Sequence, residues 1–198
     1  MNNSIASLAA RIRRDCLIST FEAGSGHPTT CLSAVELVAS LFAEKIVLDP
    51  NNPYNRAADV FILSKGHAAP LLYSVAINLG LSDADIKSLR KKDSVLEGHP
   101  VPRFRWARVA TGSLGQGLSI ACGIALARKR DGIGSKVYCL LGDGELAEGA
   151  VWEAMAFASY YGLNNLVALV DVNALGQSGP TMHKHDIDTL GLKIASFG

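Results

Sequence analysis

The residues best suited to chemistry in this sequence are an aspartate between two glycines and an asparagine that follows 30 positions later. Asp143 stands in a Gly-Asp-Gly segment, and Asn173 lies two positions before Leu175. Glycines let the backbone approach a ligand closely, and carboxylate, amide and carbonyl oxygens are the ligands that Mg²⁺ prefers beside a phosphate. These residues predict a metal and phosphate site, although an aspartate between glycines is also common in simple turns.

The elements that must position these residues are strands. Residues 137–141 and 166–170 are unbroken apolar runs of strand length, and residues 151–161 between them have helical spacing. This order requires a parallel pair of strands, and Val60–Leu63 is a third such run. The predicted fold class is α/β, a parallel sheet flanked by helices. Ligands bind beyond the carboxyl ends of such strands, so we expect the three following loops to meet at one edge: residues 64–67, 142–145 and 171–177.

Further helices are indicated elsewhere in the chain. Apolar residues recur at helical spacing in residues 5–16, 31–42 and 70–79. Ser82 opens a Ser-Asp-Ala-Asp segment that is typical of a helix N-cap, which predicts a short charged helix to about Arg90.

The composition favours one folded domain over residues 1–198. Hydrophobic residues make up 48% of the chain and charged residues 19%, as in globular proteins. A net charge of +1 gives no general attraction for nucleic acid or an anionic membrane. Two basic clusters, at residues 11–14 and 128–130, are predicted to be solvated helix faces.

The four cysteines are scattered and show no C-x-x-C pair, so we expect reduced thiols within the core. The N-terminus does not resemble a secretory leader, and no uninterrupted apolar stretch reaches the ~18 residues of a membrane helix. The expected compartment is a reducing cytoplasm.

Six segments together carry a family resemblance. In chain order they are GSGHPTT, LSKGHAAP, EGHPVP, ATGSLGQG, LLGDGELAEGAVWEAMAFAS and DVNALGQSG. In amino-acid sequence they resemble the corresponding segments of transketolases, and those of animal-type transketolases most. The element that runs from Gly-Asp-Gly to Asn resembles the motif shared by thiamine-diphosphate enzymes. The likeness covers essentially the whole chain and implies the diphosphate-binding domain of that family.

The resemblance implies roles for individual residues. Asp143, Asn173 and the Leu175 carbonyl match the family's ligands for Mg²⁺, for which Ca²⁺ or Mn²⁺ would substitute. His27 and His99 match histidines that face the donor sugar, and we expect them to be catalytic. The residues that match groups near thiamine diphosphate are Thr30, His67, Gly112, Ser113, Leu114, Gly144, Glu148 and Asn173.

Other residues receive plainer interpretations. His183 and His185 have no motif support and are predicted to lie in a surface loop. Trp152 and Phe157 have core-like spacing after the Gly-Asp-Gly segment, which favours packing or subunit contact over cofactor contact.

The resemblance also implies a reaction, the transfer of a two-carbon ketol unit between sugar phosphates of the pentose phosphate pathway. The family's pyrimidine-binding domain, with its activating glutamate, has no counterpart here. We therefore expect a domain that is incomplete at its C-terminal end, inactive alone, and active with a pyrimidine-binding domain or subunit in a homodimer or hetero-oligomer. Two alternatives stay open: a non-catalytic cofactor-binding or interaction module, and another thiamine-diphosphate enzyme such as a deoxyxylulose-phosphate-synthase-like protein.

Overall fold

The computed structural model describes residues 4–198. These residues fold as two compact units, which we call the helical unit (residues 4–54 and 66–112) and the sheet unit (residues 55–65 and 113–198). The expectation that residues 1–198 form one domain stays a prediction.

The sheet unit is built on three parallel strands in the order β1-β2-β3. They are β1 (Val60–Leu63), β2 (Val137–Gly142) and β3 (Leu166–Asp171). Val60 pairs with Val137 and Val137 with Leu166, so the three apolar runs are in register. The predicted α/β class, with a parallel sheet flanked by helices, is confirmed.

Helices of the same unit cover this sheet. α5 (Gln116–Arg130) packs on all three strands and on α6 (Gly149–Tyr160), and α7 (Ile187–Ala195) comes last. β1 and β2 are almost wholly buried, as their lack of polar alternation predicts, whereas β3 is half-buried along most of its length.

The helical unit contains α1 (Ile5–Glu22), α2 (Pro28–Ser33), α3 (Val35–Glu44) and α4 (Ala69–Asn78). α1 packs against both α3 and α4. Ile12 and Cys16 of α1 are completely buried, as helical apolar spacing requires. None of the helices within residues 4–198 is long and apolar enough to cross a membrane.

Two sequence predictions about local structure are wrong. The charged helix from Ser82 to about Arg90 is only a 3₁₀ turn, Ile86–Ser88, capped by Asp85. Extended backbone at Leu89 and left-handed backbone at Arg90 end the turn after three residues.

The basic cluster at residues 128–130 is not simply a solvated face. Arg128 is buried and donates hydrogen bonds to the Ala58 carbonyl (2.9 Å) and to Ser135 (2.6 Å) within the sheet unit. The prediction for the cysteines is confirmed, because all four are free and buried.

Candidate functional site

In the sheet unit, the loops after β2 and β3 are joined through Asp143. The Asp143 amide donates to the Asp171 carbonyl at 3.1 Å. Its Oδ2 accepts hydrogen bonds from the Ala174 amide at 3.0 Å and from the Thr181 hydroxyl at 2.7 Å. One carboxylate oxygen is thus held by protein donors, and the orientation of the other is fixed with it.

Asn173 and Leu175 form a tight turn beside this carboxylate. The Asn173 Oδ1 accepts a hydrogen bond from the Leu175 amide at 2.9 Å, and Ala174 between them has a positive φ of 61°. A Cβ placed on Gly144 would lie 3.9 Å from the Leu175 carbonyl oxygen. The turn therefore brings that carbonyl close to the Gly-Asp-Gly segment, as ligands from two strand ends require.

The donor set fits a hard divalent cation that is shared with phosphate. One carboxylate, one amide oxygen and one backbone carbonyl leave room in an octahedral shell for water and phosphate oxygens, which is how Mg²⁺ is usually bound. Within residues 4–198 no group of three or more His, Cys, Asp or Glu side chains is arranged to hold a metal.

The residues before α5 approach the same loop. Gly115, the N-cap of α5, has a positive φ of 87°, and a Cβ on it would lie 2.9 Å from the Glu148 Cβ. Only glycine tolerates both conditions. Ser113 is exposed, Leu114 is half-buried and Glu148 is exposed, so this segment presents side chains to solvent next to a helix N-terminus that favours anions.

Two buried groups in this unit were not predicted as functional from the sequence. Lys65, after β1, donates to Asp171, at the end of β3, with 2.5 Å between Nζ and Oδ2, and both are buried. Glu145 is 1% exposed and accepts hydrogen bonds from three segments. Lys65 lies in the LSKGHAAP segment and Glu145 directly follows Gly-Asp-Gly. Their positions within these motifs were the sequence signal that could have marked them as candidates.

In the helical unit, three predicted residues meet at the start of α2. The Thr30 hydroxyl and His67 Nε2 are 3.0 Å apart, and the His27 and His67 rings lie edge to face with centroids 5.6 Å apart. Thr30 is buried, His67 is half-buried and His27 is exposed. Pro28, in the first helical turn, fixes the start of α2 directly after His27.

His99 and Gly112 form a second close contact in this unit. Gly112 has a positive φ of 141°, and a Cβ on it would lie 2.6 Å from Cδ2 of the His99 ring. A Cβ on Gly66 would lie 2.7 Å from the Gly112 amide nitrogen, so the turn that carries His67 packs directly on the same backbone. Although His99 is exposed overall, partial desolvation of its ring lowers its pKa below the usual 6.5, and the charges of Arg90 and His27 act in the same direction.

The predicted residues thus fall into two groups, and each is assembled within its own unit. The first has His27, Thr30, His67, His99 and Gly112; the second has Ser113, Leu114, Asp143, Gly144, Glu148, Asn173 and Leu175. His183 and His185 belong to neither, although the His183 Nε2 lies 2.9 Å from the Lys193 Nζ.

The parallel sheet carries an aspartate and an asparagine just beyond adjacent strand ends, which is the edge at which α/β proteins bind their ligands. The family model "Transketolase, thiamine diphosphate binding domain" matches residues 6–192. The chain belongs to this family.

Known proteins agree with this assignment. Human transketolase is 52% identical over 200 residues, which cover 98% of this chain and 32% of that protein. The crystal structure of transketolase from Campylobacter jejuni has a TM-score of 0.90 at 29% identity and covers 98% of this chain and 32% of that one. A structure of transketolase mutants from Pichia stipitis, in complex with xylulose 5-phosphate, has a TM-score of 0.90 at 30% identity. The match covers 100% of this chain and 31% of that one. The chain therefore spans about a third of the length of its curated relatives, 32% in the human case.

Proposed function

We propose that this chain binds the diphosphate of thiamine diphosphate together with a divalent metal, as the diphosphate-binding part of a transketolase. The observation that carries this proposal is the doubly hydrogen-bonded Asp143 carboxylate, fixed at 3.0 and 2.7 Å beside the Asn173 turn. Left-handed backbone at a residue other than glycine, here Ala174, costs free energy and is often found at functional sites, which supports the proposal. Membership of the thiamine-diphosphate-binding family supports the same cofactor.

In the sheet unit, Asp143, Asn173 and the Leu175 carbonyl would hold Mg²⁺, with Ca²⁺ or Mn²⁺ as substitutes. Gly144 would let backbone approach the diphosphate, because it has no side chain to fill that space. Ser113, Leu114 and Glu148 would contact the cofactor from the start of α5 and the start of α6. Bound thiamine diphosphate supplies an electron sink for carbanion chemistry, and the protein orients the reactants.

For the helical unit we propose the roles that the family resemblance implies. Thr30, His67 and Gly112 would contact the cofactor, and the Thr30 hydroxyl would hold the His67 ring in one orientation. His27 and His99 would hydrogen-bond and exchange protons with the hydroxyls of the donor sugar. Both are exposed, as groups that meet a substrate must be, and the lowered pKa of His99 favours its neutral, proton-accepting form.

The proposed reaction is the transfer of a two-carbon ketol unit from a ketose phosphate to an aldose phosphate, as in the pentose phosphate pathway. It needs a pyrimidine-binding domain, from the same polypeptide or another, in a dimer or hetero-oligomer. Three exposed aromatic side chains at the end of α6 support a protein partner: Phe157 and Tyr160 lie 4.5 and 5.0 Å from Tyr161, centroid to centroid. The four buried free thiols favour the cytoplasm as the compartment.

Calorimetric titration with thiamine diphosphate in the presence of Mg²⁺ tests the metal site. We expect Asp143→Ala and Asn173→Ala each to abolish Mg²⁺-dependent binding, because each removes a metal ligand. Asp83→Ala, which removes an exposed carboxylate in the helical unit, is the matched control and should bind like the unchanged chain. Unchanged affinity in either site variant would refute the assignment.

A ketol-transfer assay tests the need for a partner. The 198-residue chain with cofactor and Mg²⁺ should give no turnover, and a transketolase pyrimidine-binding domain added in trans should restore it. Turnover by the chain alone would contradict the proposed division of the site.

A further inference from the structure

Glu145 is a buried carboxylate that collects hydrogen bonds from three separate segments of the sheet unit. Its Oε1 accepts from the Ser64 hydroxyl at 2.5 Å and from the Gly115 amide at 2.8 Å, and its Oε2 accepts from the Gly142 amide at 3.2 Å. The residue is 1% exposed, so no solvent competes for these bonds. A buried charged group is tolerated only when it is satisfied in this way.

The three donors belong to the segments that shape the proposed diphosphate site. Ser64 directly follows β1, Gly115 caps α5 and closes the segment that carries Ser113 and Leu114, and Gly142 ends β2 immediately before Asp143. Packing at this junction is dense, because a Cβ on Gly117 would lie 2.3 Å from the Ser64 hydroxyl oxygen. A small movement of any one segment would be felt by the other two.

The chemistry of the junction calls for a carboxylate. Three donors point at two oxygens, and a carboxylate can only accept. A glutamine of the same shape would present one acceptor and one NH₂ group, which would face either a backbone N–H or the Ser64 hydroxyl. The amide side chain therefore cannot satisfy the same three donors, although its volume is unchanged.

We propose that Glu145 is a positioning residue for diphosphate and metal binding: it fixes the Ser113–Gly115 segment and the Gly142-Asp143 segment relative to each other. This inference rests on the proposed function. Glu145 supplies no metal ligand itself; it acts through the backbone on which Asp143, Ser113 and Leu114 are carried. Supporting groups of this kind typically change metal affinity by about 10–100-fold when they are removed.

The test compares Glu145→Gln with the unchanged chain and with Glu153→Gln, which makes the same change at an exposed position of α6. Calorimetry should find thiamine diphosphate bound with Mg²⁺ about tenfold or more weakly by Glu145→Gln, and within about twofold of the unchanged chain by Glu153→Gln. Ser64→Ala, which removes one of the three donors and keeps Glu145, should weaken binding by less.

A second readout follows the three-segment junction without any cofactor. Amide hydrogen exchange by NMR should show protection at Gly115 and Gly142 falling about fivefold or more in Glu145→Gln, while Leu140 in the centre of β2 keeps its protection. A purely structural role would instead lower protection across the whole strand and leave affinity unchanged in molecules that remain folded.

The outcomes separate the two proposals. If the unchanged chain binds no thiamine diphosphate, the proposed function is wrong, and the positioning role is wrong with it. If the unchanged chain binds thiamine diphosphate, and Glu145→Gln and Ser64→Ala both bind it as tightly as the unchanged chain does, only the positioning role is overturned. Weaker binding in Glu145→Gln with local loss of protection supports both.

Discussion

The two units differ in how they hold the polar side chains in and around the candidate site. In the sheet unit, polar side chains are buried and anchored: Glu145 accepts three hydrogen bonds, and Lys65 pairs with Asp171. In the helical unit, His27 and His99 are exposed, and the hydroxyl of Thr30 orients the His67 ring. The proposed diphosphate and metal site therefore lies beside buried, hydrogen-bonded side chains of the sheet unit, whereas the histidines proposed to meet a sugar are exposed in the helical unit.

The largest effect should come from breaking the buried pair of the sheet unit. Lys65→Met keeps the aliphatic part of the side chain but removes the ammonium group that pairs with the buried Asp171 carboxylate. Removing one partner of a buried ion pair costs about 3–5 kcal/mol, so the free energy of unfolding in urea should fall by that order.

Lys92→Met, at an exposed position, provides the matched control and should change the free energy of unfolding by less than about 0.5 kcal/mol. If Lys65→Met and Lys92→Met had equal free energies of unfolding, the buried Lys65–Asp171 pair would not stabilise the sheet unit, and the contrast between the two units would be contradicted.

The next effect is expected in the helical unit, at the glycine that packs on His99. Gly112→Ala combines an unfavourable φ of 141° with a Cβ placed 2.6 Å from the His99 ring, so it should destabilise by about 1–3 kcal/mol and displace the ring. Thermal unfolding and the chemical shifts of the His99 ring would measure the two consequences.

Gly123→Ala is the control for Gly112→Ala. Gly123 lies within α5 and a Cβ on it would meet nothing within 4 Å, so alanine there should stabilise by about 0.5–1 kcal/mol. If Gly112→Ala and Gly123→Ala changed the free energy of unfolding in the same direction, the backbone conformation and close contact at Gly112 would not explain its effect.

A smaller effect is expected for the hydroxyl beside His67. Thr30→Val keeps the shape and removes the group 3.0 Å from His67 Nε2, which should cost about 0.5–1.5 kcal/mol and broaden the His67 ring signals in NMR. Thr29→Val, at the exposed position one residue earlier, should leave both the stability and the His67 ring signals unchanged. An unperturbed His67 ring in Thr30→Val would mean that the hydroxyl does not orient it.

The smallest effect concerns pH. Because the pKa of His99 is lowered in the folded chain, the unfolded chain takes up this proton more readily, and stability rises with pH through the window just below 6.5. His99→Asn should flatten that part of the stability curve, measured as the unfolding midpoint against pH. A His99 ring that titrates at or above 6.5 in NMR would contradict the sign.

The sequence predicted the sheet well because its signals are local. Val60–Leu63 and the two later apolar runs need no knowledge of their neighbours to be recognised as buried strands. Lys65–Asp171 and Ser64–Glu145 join positions 106 and 81 residues apart, and single-sequence patterns do not reveal such pairs. Arg128 was misjudged for the same reason, since its partner carbonyl at Ala58 lies 70 residues away.

For the candidate site, the strand-end positions of Asp143 and Asn173 suggested a metal, and the six motifs suggested the cofactor. The helix predicted after Ser82 failed because an Asp85 cap also suits a single 3₁₀ turn, and little apolar periodicity follows to extend it. Cap residues alone do not determine helix length.

A crystal structure of the chain with thiamine diphosphate and Mn²⁺, in which anomalous scattering locates the metal, tests the proposed metal site most directly. We expect Mn²⁺ at coordination distance from the Asp143 carboxylate, the Asn173 side-chain oxygen and the Leu175 carbonyl, with diphosphate oxygens completing its shell. A cofactor bound with its metal elsewhere, or bound with Asp143 still turned only toward Ala174 and Thr181, would contradict it.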